Sequence, residues 1–402
     1  MRELSRRAVA MPASPIRRLA PLAAAAVREG TTVHHLNIGQ PDIATPPECL
    51  ERLRTFDEVN VAYGPSEGLP EFVDAVRRYH ARGGLELATG EIFVTTGGSE
   101  ALLFVLAAVA DPGDEVLLFE PFYTNYSGFA ELVGVKTVPV TTRAEDGYHL
   151  PRAAEIEAKI TAKTRAILLC SPNTPTGTVY DDAELERVAA ICRERDLFLV
   201  ADEVYREFTY DGLTHRSALT LEGLEQQVVL TDSLSKRVSM CGARVGWIVS
   251  RNRTLMDAVL RFGQARLCPP TLGQHVGAGL ADVPESYMSE VVAEYQRRRD
   301  LVYEALSQTP GVTVRRPEGA FYLCCGLPVD DAQRFAEFLL RDFDVDGETT
   351  MIAPADGFYA TPGLGRDEAR IAYVLDRDRL ARAMRILAAA LESYPGARPG
   401  RG

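Results

Sequence analysis

Lysine is scarce in this chain of 402 residues. Only Lys136, Lys159, Lys163 and Lys236 occur, and the other 40 of the 44 basic side chains are arginine. Chemistry that needs an amine nucleophile therefore has four candidates, because arginine stays protonated in proteins. The seven cysteines (49, 170, 192, 241, 268, 324 and 325) form no C-x-x-C pair and are odd in number, so free thiols in a reducing compartment are expected. No metal site is expected, and adjacent Cys324 and Cys325 read as packing in a strand. No apolar run approaches the ~20 residues of a membrane span. A net charge of −12 argues against nucleic acid as the main partner, which wants a basic surface. Arginine pairs at 6–7 and 17–18 precede the run LAPLAAAAV at 19–27, a weak likeness to a secretion signal. The run is short, is broken by Pro21 and is closed by Arg28 and Glu29. An amphipathic helix after Pro15 and a cytoplasmic location are the expectation.

What is present is alternation. Short apolar runs at Ile92–Thr96, Glu115–Glu120, Val135–Val140, Ala166–Cys170, Leu197–Ala201, Val228–Thr231 and Arg244–Ser250 are separated by helical stretches such as Ser99–Ala110 and Asp181–Arg195. This pattern implies an α/β fold, a three-layer arrangement with a mostly parallel sheet covered on both faces by helices. The tail reads as a smaller α+β domain, with a long helix over Glu290–Ser307, short strands near Val312–Val314 and Phe321–Cys325, and a last helix over Asp376–Ser393. The expected division is an N-terminal segment 1–45 wrapping onto the rest, a large domain 46–288 and a small domain 289–402. The first 45 residues read as short of core-forming strands.

In open α/β sheets, ligands gather at the carboxyl ends of the strands. Unusual polar residues fall there repeatedly. Thr96-Gly97-Gly98-Ser99-Glu100 runs from a strand straight into a helix, a plausible anion seat. A cluster of aromatics, Phe122, Tyr123 and Tyr126, follows the second strand, able to stack on a planar ring or simply to pack. Ser171–Gly177 is an irregular loop fixed by two prolines and a glycine. Asp202 follows a wholly apolar run, so its carboxylate needs a cationic or donor partner. Ser233, Ser235, Lys236 and Arg244 cluster after the run Val228–Thr231, and hydroxyls with a guanidinium suit a phosphate dianion. A lysine among them can be a covalent amine. Lys159 and Lys163, four apart on a charged helix face, and Lys136 at a strand start read as solvated surface.

These residues carry a resemblance to the class I/II aminotransferases, the fold-type I family that depends on pyridoxal 5′-phosphate. It spans roughly residues 12–393. Its most specific element is S-L-S-K-x7-R-x-G from Ser233 to Gly246. In order along the chain stand N-I-G-Q-P-D (37–42), Y-G-P-S-E-G (63–68), G-G-S-E-A (97–101), P-F-Y-T-N-Y (121–126), S-P-N-T-P-T-G (171–177), D-E-V-Y (202–205), G-A-F-Y (319–322) and R-I-A-Y (370–373).

The resemblance implies that Lys236 joins the cofactor aldehyde and later moves the substrate proton in a ping-pong transfer between an L-amino acid and a 2-oxo acid. It implies that Asp202 pairs with the pyridine nitrogen, Tyr205 donates to the phenolic oxygen and Tyr123 stacks on the ring. Gly98, Ser99, Ser233, Ser235 and Arg244 would hold the phosphate, with Glu100 in the same turn. Tyr63 would reach the phosphate of a neighbouring subunit, making a homodimer the working unit. Arg370 and Gly39 would bind the substrate α-carboxylate. Two departures stand out. The family usually carries Asn before Pro-Thr-Gly to meet the phenolic oxygen; here Thr174 stands there, with Asn173 one earlier, and Asn173 is the preferred contact. Ser99 supplies no cation for a side-chain carboxylate and no clear replacement stands in the sequence, which argues against a strict aspartate preference; Arg17 and Arg18 lie in an N-terminal segment that in relatives can cover the site, where either could contribute. The alternatives are a lyase, decarboxylase or oxidative or cyclising enzyme on the same scaffold, or a cofactor-binding regulator, which would want a basic DNA-binding module this sequence does not show before Asn37.

Overall fold

The computed structural model describes residues 3–398. Residues 1–2 and 399–402, the outer ends of the expected segments 1–45 and 289–402, lie outside the described residues. A short strand, β1 (Thr32–His35), comes first. The seven expected strands follow as β2 (Ile92–Thr95), β3 (Glu115–Glu120), β4 (Lys136–Thr141), β5 (Thr164–Cys170), β6 (Phe198–Asp202), β7 (Val228–Ser233) and β8 (Gly246–Val249), each within two residues of its apolar run. They form one sheet in the order β2-β8-β7-β6-β5-β3-β4. Only β8 runs against the others, pairing antiparallel with both β2 and β7. β6 and β7 are buried almost throughout, as expected of Val- and Leu-rich strands with helices on both faces.

Local chemistry sets the helix ends. Helix Asp182–Arg195 starts with a reciprocal cap: the Asp181 carboxylate accepts from Glu184 N, and the Glu184 carboxylate accepts from Asp181 N, each at 2.8 Å. Helix Gly97–Val109 begins directly off β2, two residues before Ser99. Lys159 and Lys163 are exposed as expected but not on a helix face, since the helix Ala153–Glu157 stops before them.

The C-terminal part holds β9 (Thr313–Val314), β10 (Tyr322–Gly326), β11 (Glu348–Met351), β12 (Ala353–Pro354) and β13 (Glu368–Ala372). Four of these form an antiparallel sheet in the order β12-β13-β10-β9. It packs with the long helix Glu285–Ser307 and the last helix Arg377–Ser393. β11 instead pairs in parallel with β1, from Thr32 opposite Glu348 to His35 opposite Met351. This corrects the expectation that the first 45 residues lack a core strand. Two histidines concealed it: His34 is buried because its Nε2 meets the Glu348 carboxylate at 2.7 Å.

His149 ties the loop after β4 to two other elements. Its Nδ1 lies 2.9 Å from Glu184 and its Nε2 3.4 Å from Glu318. The hydrogen bond to Glu184, then that to Glu318, raises the imidazole from 6.5 to about 10. A raised folded value means the stabilisation is complete below the free-histidine value and is lost as pH rises through the folded one. The melting-temperature gap between the protein and His149→Gln should therefore be widest near pH 6.5 and close as pH passes about 10. A gap that does not change with pH would mean the ring acts by packing alone.

Candidate active site

The carboxyl ends of β2, β5, β6 and β7 converge with residues of the N- and C-terminal segments. At the end of β2, Gly97 takes φ +75°, open to glycine at little strain. A Cβ there would lie 2.6 Å from an Arg244 guanidinium nitrogen. A Cβ on Gly246 would lie 2.6 Å from Gly97 C and 2.7 Å from Gly98 N. Both glycines are therefore required for β8 and Arg244 to lie flush against the turn that opens helix Gly97–Val109. Ser233 Oγ accepts from Ser235 N at 3.2 Å and faces Gly98 from β7. The result is a helix N-terminus ringed by Ser99, Ser233, Ser235 and Arg244, a setting for a dianion. Glu100 does not face it. Its carboxylate accepts from Thr96 N at 2.8 Å and pairs with Arg266 at 3.2 Å, holding the turn in place.

Asp202, at the end of β6, is buried. Its Oδ2 accepts from the Tyr126 hydroxyl at 2.6 Å, and burial raises the carboxyl to about 6. Tyr205 is buried beside it, its hydroxyl 3.0 Å from that of Tyr322. Tyr123 stands edge-on to Tyr126, its hydroxyl accepting from Asn125 Nδ2 at 2.8 Å. In the loop after β5, Asn173 is engaged locally: its Oδ1 accepts from Thr176 N at 3.3 Å and from Thr176 Oγ1 at 2.9 Å. Thr174 Oγ1 is buried with no partner among the described residues.

Lys236 sits on the helical turn Leu234–Arg237 after β7. Its Nζ donates to Gly39 O at 2.6 Å and stands 5.9 Å from the centre of the Phe321 ring. Gly39 lies against Tyr322, and a Cβ there would overlap the phenol oxygen. Arg370, on β13, is 2% exposed. It donates to Asn37 O at 2.5 Å, lies over the rings of Tyr322 (4.5 Å) and Phe358 (5.0 Å), and its Nε has no partner among the described residues. Tyr63 alone stands apart: it is 81% exposed on a segment where Val59 and Val61 are exposed too.

Three features were not legible in sequence: the Tyr126 bond to Asp202, the Tyr322 hydroxyl bonded to Tyr205 and packed on Gly39, and buried Glu120. Glu120 Oε1 accepts from Thr141 Oγ1 at 2.8 Å, and its Oε2 accepts from Ala360 N at 2.8 Å and Thr361 N at 3.0 Å. A carboxylate at a strand exit was the only signal, and it is shared by many surface glutamates.

The structure thus offers a dianion seat, a buried carboxylate facing the same end of the sheet, an unpartnered buried hydroxyl and an amine between them. A phosphorylated, ring-nitrogen cofactor bearing an aldehyde fits this set. The family model for aminotransferase class I and II matches residues 31–388. A probable aspartate/prephenate aminotransferase of Aquifex aeolicus is 31% identical over 374 residues, covering 90% of this chain and 92% of that protein. The arginine–pyruvate transaminase AruH of Pseudomonas aeruginosa is 31% identical over 383 residues, covering 91% and 92%. Among solved structures, the aspartate aminotransferase of Thermus thermophilus with maleate superposes at a TM-score of 0.87, with 29% identity over 97% of this chain and 100% of that one.

Proposed function

The chain belongs to the class I and II aminotransferases and depends on pyridoxal 5′-phosphate, and from that premise we propose how its own residues carry out transfer between an L-amino acid and a 2-oxo acid. The observation that supports the assignment most is the position of Lys236. It is the one lysine set among Ser233, Ser235 and Arg244 and held toward Gly39, while Lys136, Lys159 and Lys163 are exposed.

Gly98 and Ser99 at the helix N-terminus, with Ser233, Ser235 and Arg244, would hold the cofactor phosphate. Asp202 would face the ring nitrogen, Tyr205 and Thr174 the phenolic oxygen, and Tyr123 the ring. Thr174 is read in that role ahead of Asn173, because its buried hydroxyl has no partner among the described residues while the Asn173 amide is held in its own loop through Oδ1. The cofactor supplies an electron sink for charge that develops at the substrate α-carbon. Lys236 Nζ would take the α-proton and hand it on to the carbon that had been the cofactor's aldehyde. Arg370 binds the α-carboxylate with Gly39 beside it, which orients the Cα–H bond toward Lys236. Tyr126 keeps Asp202 Oδ2 occupied and so fixes which carboxylate edge faces the ring.

The working unit is read as a homodimer in which Tyr63 completes the neighbour's phosphate seat. Its exposure and that of Val59 and Val61 support this. The seven free thiols support a reducing, cytoplasmic setting. Nucleic acid is not read as a partner, and no helix among the described residues is long and apolar enough to cross a membrane. The proposed segmentation stays 1–45, 46–288 and 289–402.

A single-turnover screen tests this. Each of the twenty amino acids, added alone to the yellow enzyme, should convert it to the amine form for a subset of substrates, and a 2-oxo acid should restore it. Ammonia or CO₂ released without an acceptor would point to a lyase or decarboxylase instead.

A further inference from the structure

We propose that Arg237 is a positioning residue for Lys236, latching the single helical turn that presents the amine. This rests on the aminotransferase reading and adds to its machinery a side chain that acts through Lys236. The turn Leu234–Arg237 is four residues long. One turn fixes about six dihedrals for one hydrogen bond, so it does not hold itself. Neighbours on a helix point about 100° apart. Lys236 Nζ reaches Gly39 O, whereas Arg237 leaves the turn in another direction and is 1% exposed. Its guanidinium makes three bonds. Nη1 donates to Glu207 Oε1 at 2.7 Å, Nη2 to Asp232 Oδ1, and Nε to Ser233 O at 3.3 Å. The same Asp232 oxygen accepts from Ser233 N at 2.6 Å. The end of the turn is thus tied back to the end of β7 from which it starts. Glu207 lies two residues after Tyr205, so the remaining bond ties the turn to the exit of β6, which carries Asp202 and Tyr205.

The guanidinium also lies over the rings of Tyr79 (4.4 Å) and Trp247 (5.3 Å). The Trp247 indole is itself fixed, donating to His80 Nε2 at 3.1 Å. Stability alone is a poor account of this arrangement. Buried ion clusters are often matched by apolar side chains of similar volume. Here Asp232 Oδ2 and Glu207 Oε2 are buried without a partner among the described residues, which adds to the cost. What the cluster supplies is direction. Guanidinium donors form a rigid planar fork, so bonds to Glu207, Asp232 and Ser233 fix the turn against rotation about its axis. Rotation would carry Lys236 Nζ away from Gly39 and Ser235 away from the dianion seat.

The test compares the holoenzymes of the wild type, Arg237→Met, Arg237→Met with Glu207→Gln, and Tyr79→Leu. Methionine keeps an apolar stem on the two rings and removes every donor. The double variant removes one charge of each sign, and carries the test if the single one strands its carboxylates and does not fold. Tyr79→Leu takes away packing and leaves the bonds. The readouts are thermal unfolding, the pH midpoint of the yellow chromophore by absorbance, and kcat and KM for the amino acid. Both methionine variants should lose ~10- to 10²-fold in kcat with KM within about 2-fold, the effect of misplacing a catalytic group by about 1 Å. Their chromophore midpoint should move by about half a unit or more, because the titrating nitrogen is that of Lys236. Tyr79→Leu should lower the unfolding temperature and leave kcat and the midpoint in place. An unmoved midpoint with kcat intact, a loss confined to KM, or the same losses in Tyr79→Leu would overturn the proposal. The midpoint needs no turnover. A midpoint that shifts in a protein that transfers no amino group would sink the aminotransferase reading and leave the role of Arg237 standing.

Discussion

Lys236→Ala should reduce turnover by at least about 10⁴-fold, combining the loss of a covalent amine and of the general acid–base that moves the α-proton. No other residue of the site can replace it. The hydroxyls of Ser233 and Ser235 lie nearby but lack a basic amine, and the other lysines are exposed elsewhere on the surface. The phosphate seat is untouched by the change, so the variant should still bind the cofactor. It should lose the yellow colour that depends on the lysine. Borohydride treatment of the wild type should place the label on the peptide containing Lys236. A label on Lys136, Lys159 or Lys163, or a variant retaining a tenth of the activity, would remove Lys236 from its assigned role. Measuring kcat and bound cofactor on the same sample separates lost chemistry from lost binding.

Asp202→Asn should cost about 10³-fold in kcat, ~4 kcal/mol at the transition state, because a preorganised charge facing a developing one is replaced by a dipole. The physical basis is in the burial. An unpaired carboxylate at the end of β6 is raised to about 6, mainly by burial. A protonated ring nitrogen opposite it relieves that penalty, which is why both gain from meeting. The sign with pH follows. A bound cation lowers the carboxyl below its value in the free protein. Affinity for the cofactor is therefore complete above about pH 6 and weakens as pH falls through that value. In Asp202→Asn this slope should vanish, as read by titrating the cofactor-free protein. Tyr126→Phe keeps the charge but removes its 2.6 Å donor. Its onset of weakening should move to higher pH, with a smaller loss of rate. A slope that survives in Asp202→Asn would assign the titration to another group.

Much of the fold was visible beforehand because the central strands are long apolar runs with strong β formers, ended by glycine, proline or a lone charge. What stayed hidden depends on partners far away in sequence. β1 is Thr-Val-His-His, and nothing local says that His34 is buried against Glu348. The small C-terminal strands are fixed by pairing with one another, and two of them, β9 and β12, are only two residues long. At the site, the motif order selected Lys236, Asp202, Tyr205, Arg244 and Arg370. It favoured Asn173 over Thr174, blind to the bonds that Thr176 makes to Asn173 within the loop. Nor could it show that Arg18 is engaged by Asp356, a partner far along the chain. Glu100 fell inside a motif and so looked like part of the phosphate seat, whereas Arg266, far along the chain, draws its carboxylate away.

The buried Glu120 carboxylate has a mechanical meaning. By gripping the amides of Ala360 and Thr361 from the carboxyl end of β3, it anchors the run 355–361. Phe122 N reinforces the grip by donating to Phe358 O at 2.9 Å. The same run carries Asp356 and Gly357, which seat the segment bearing Arg17, and Phe358, which covers Arg370. A single buried side chain of the large sheet thus steadies both the ring over Arg370 and the seat of the N-terminal segment.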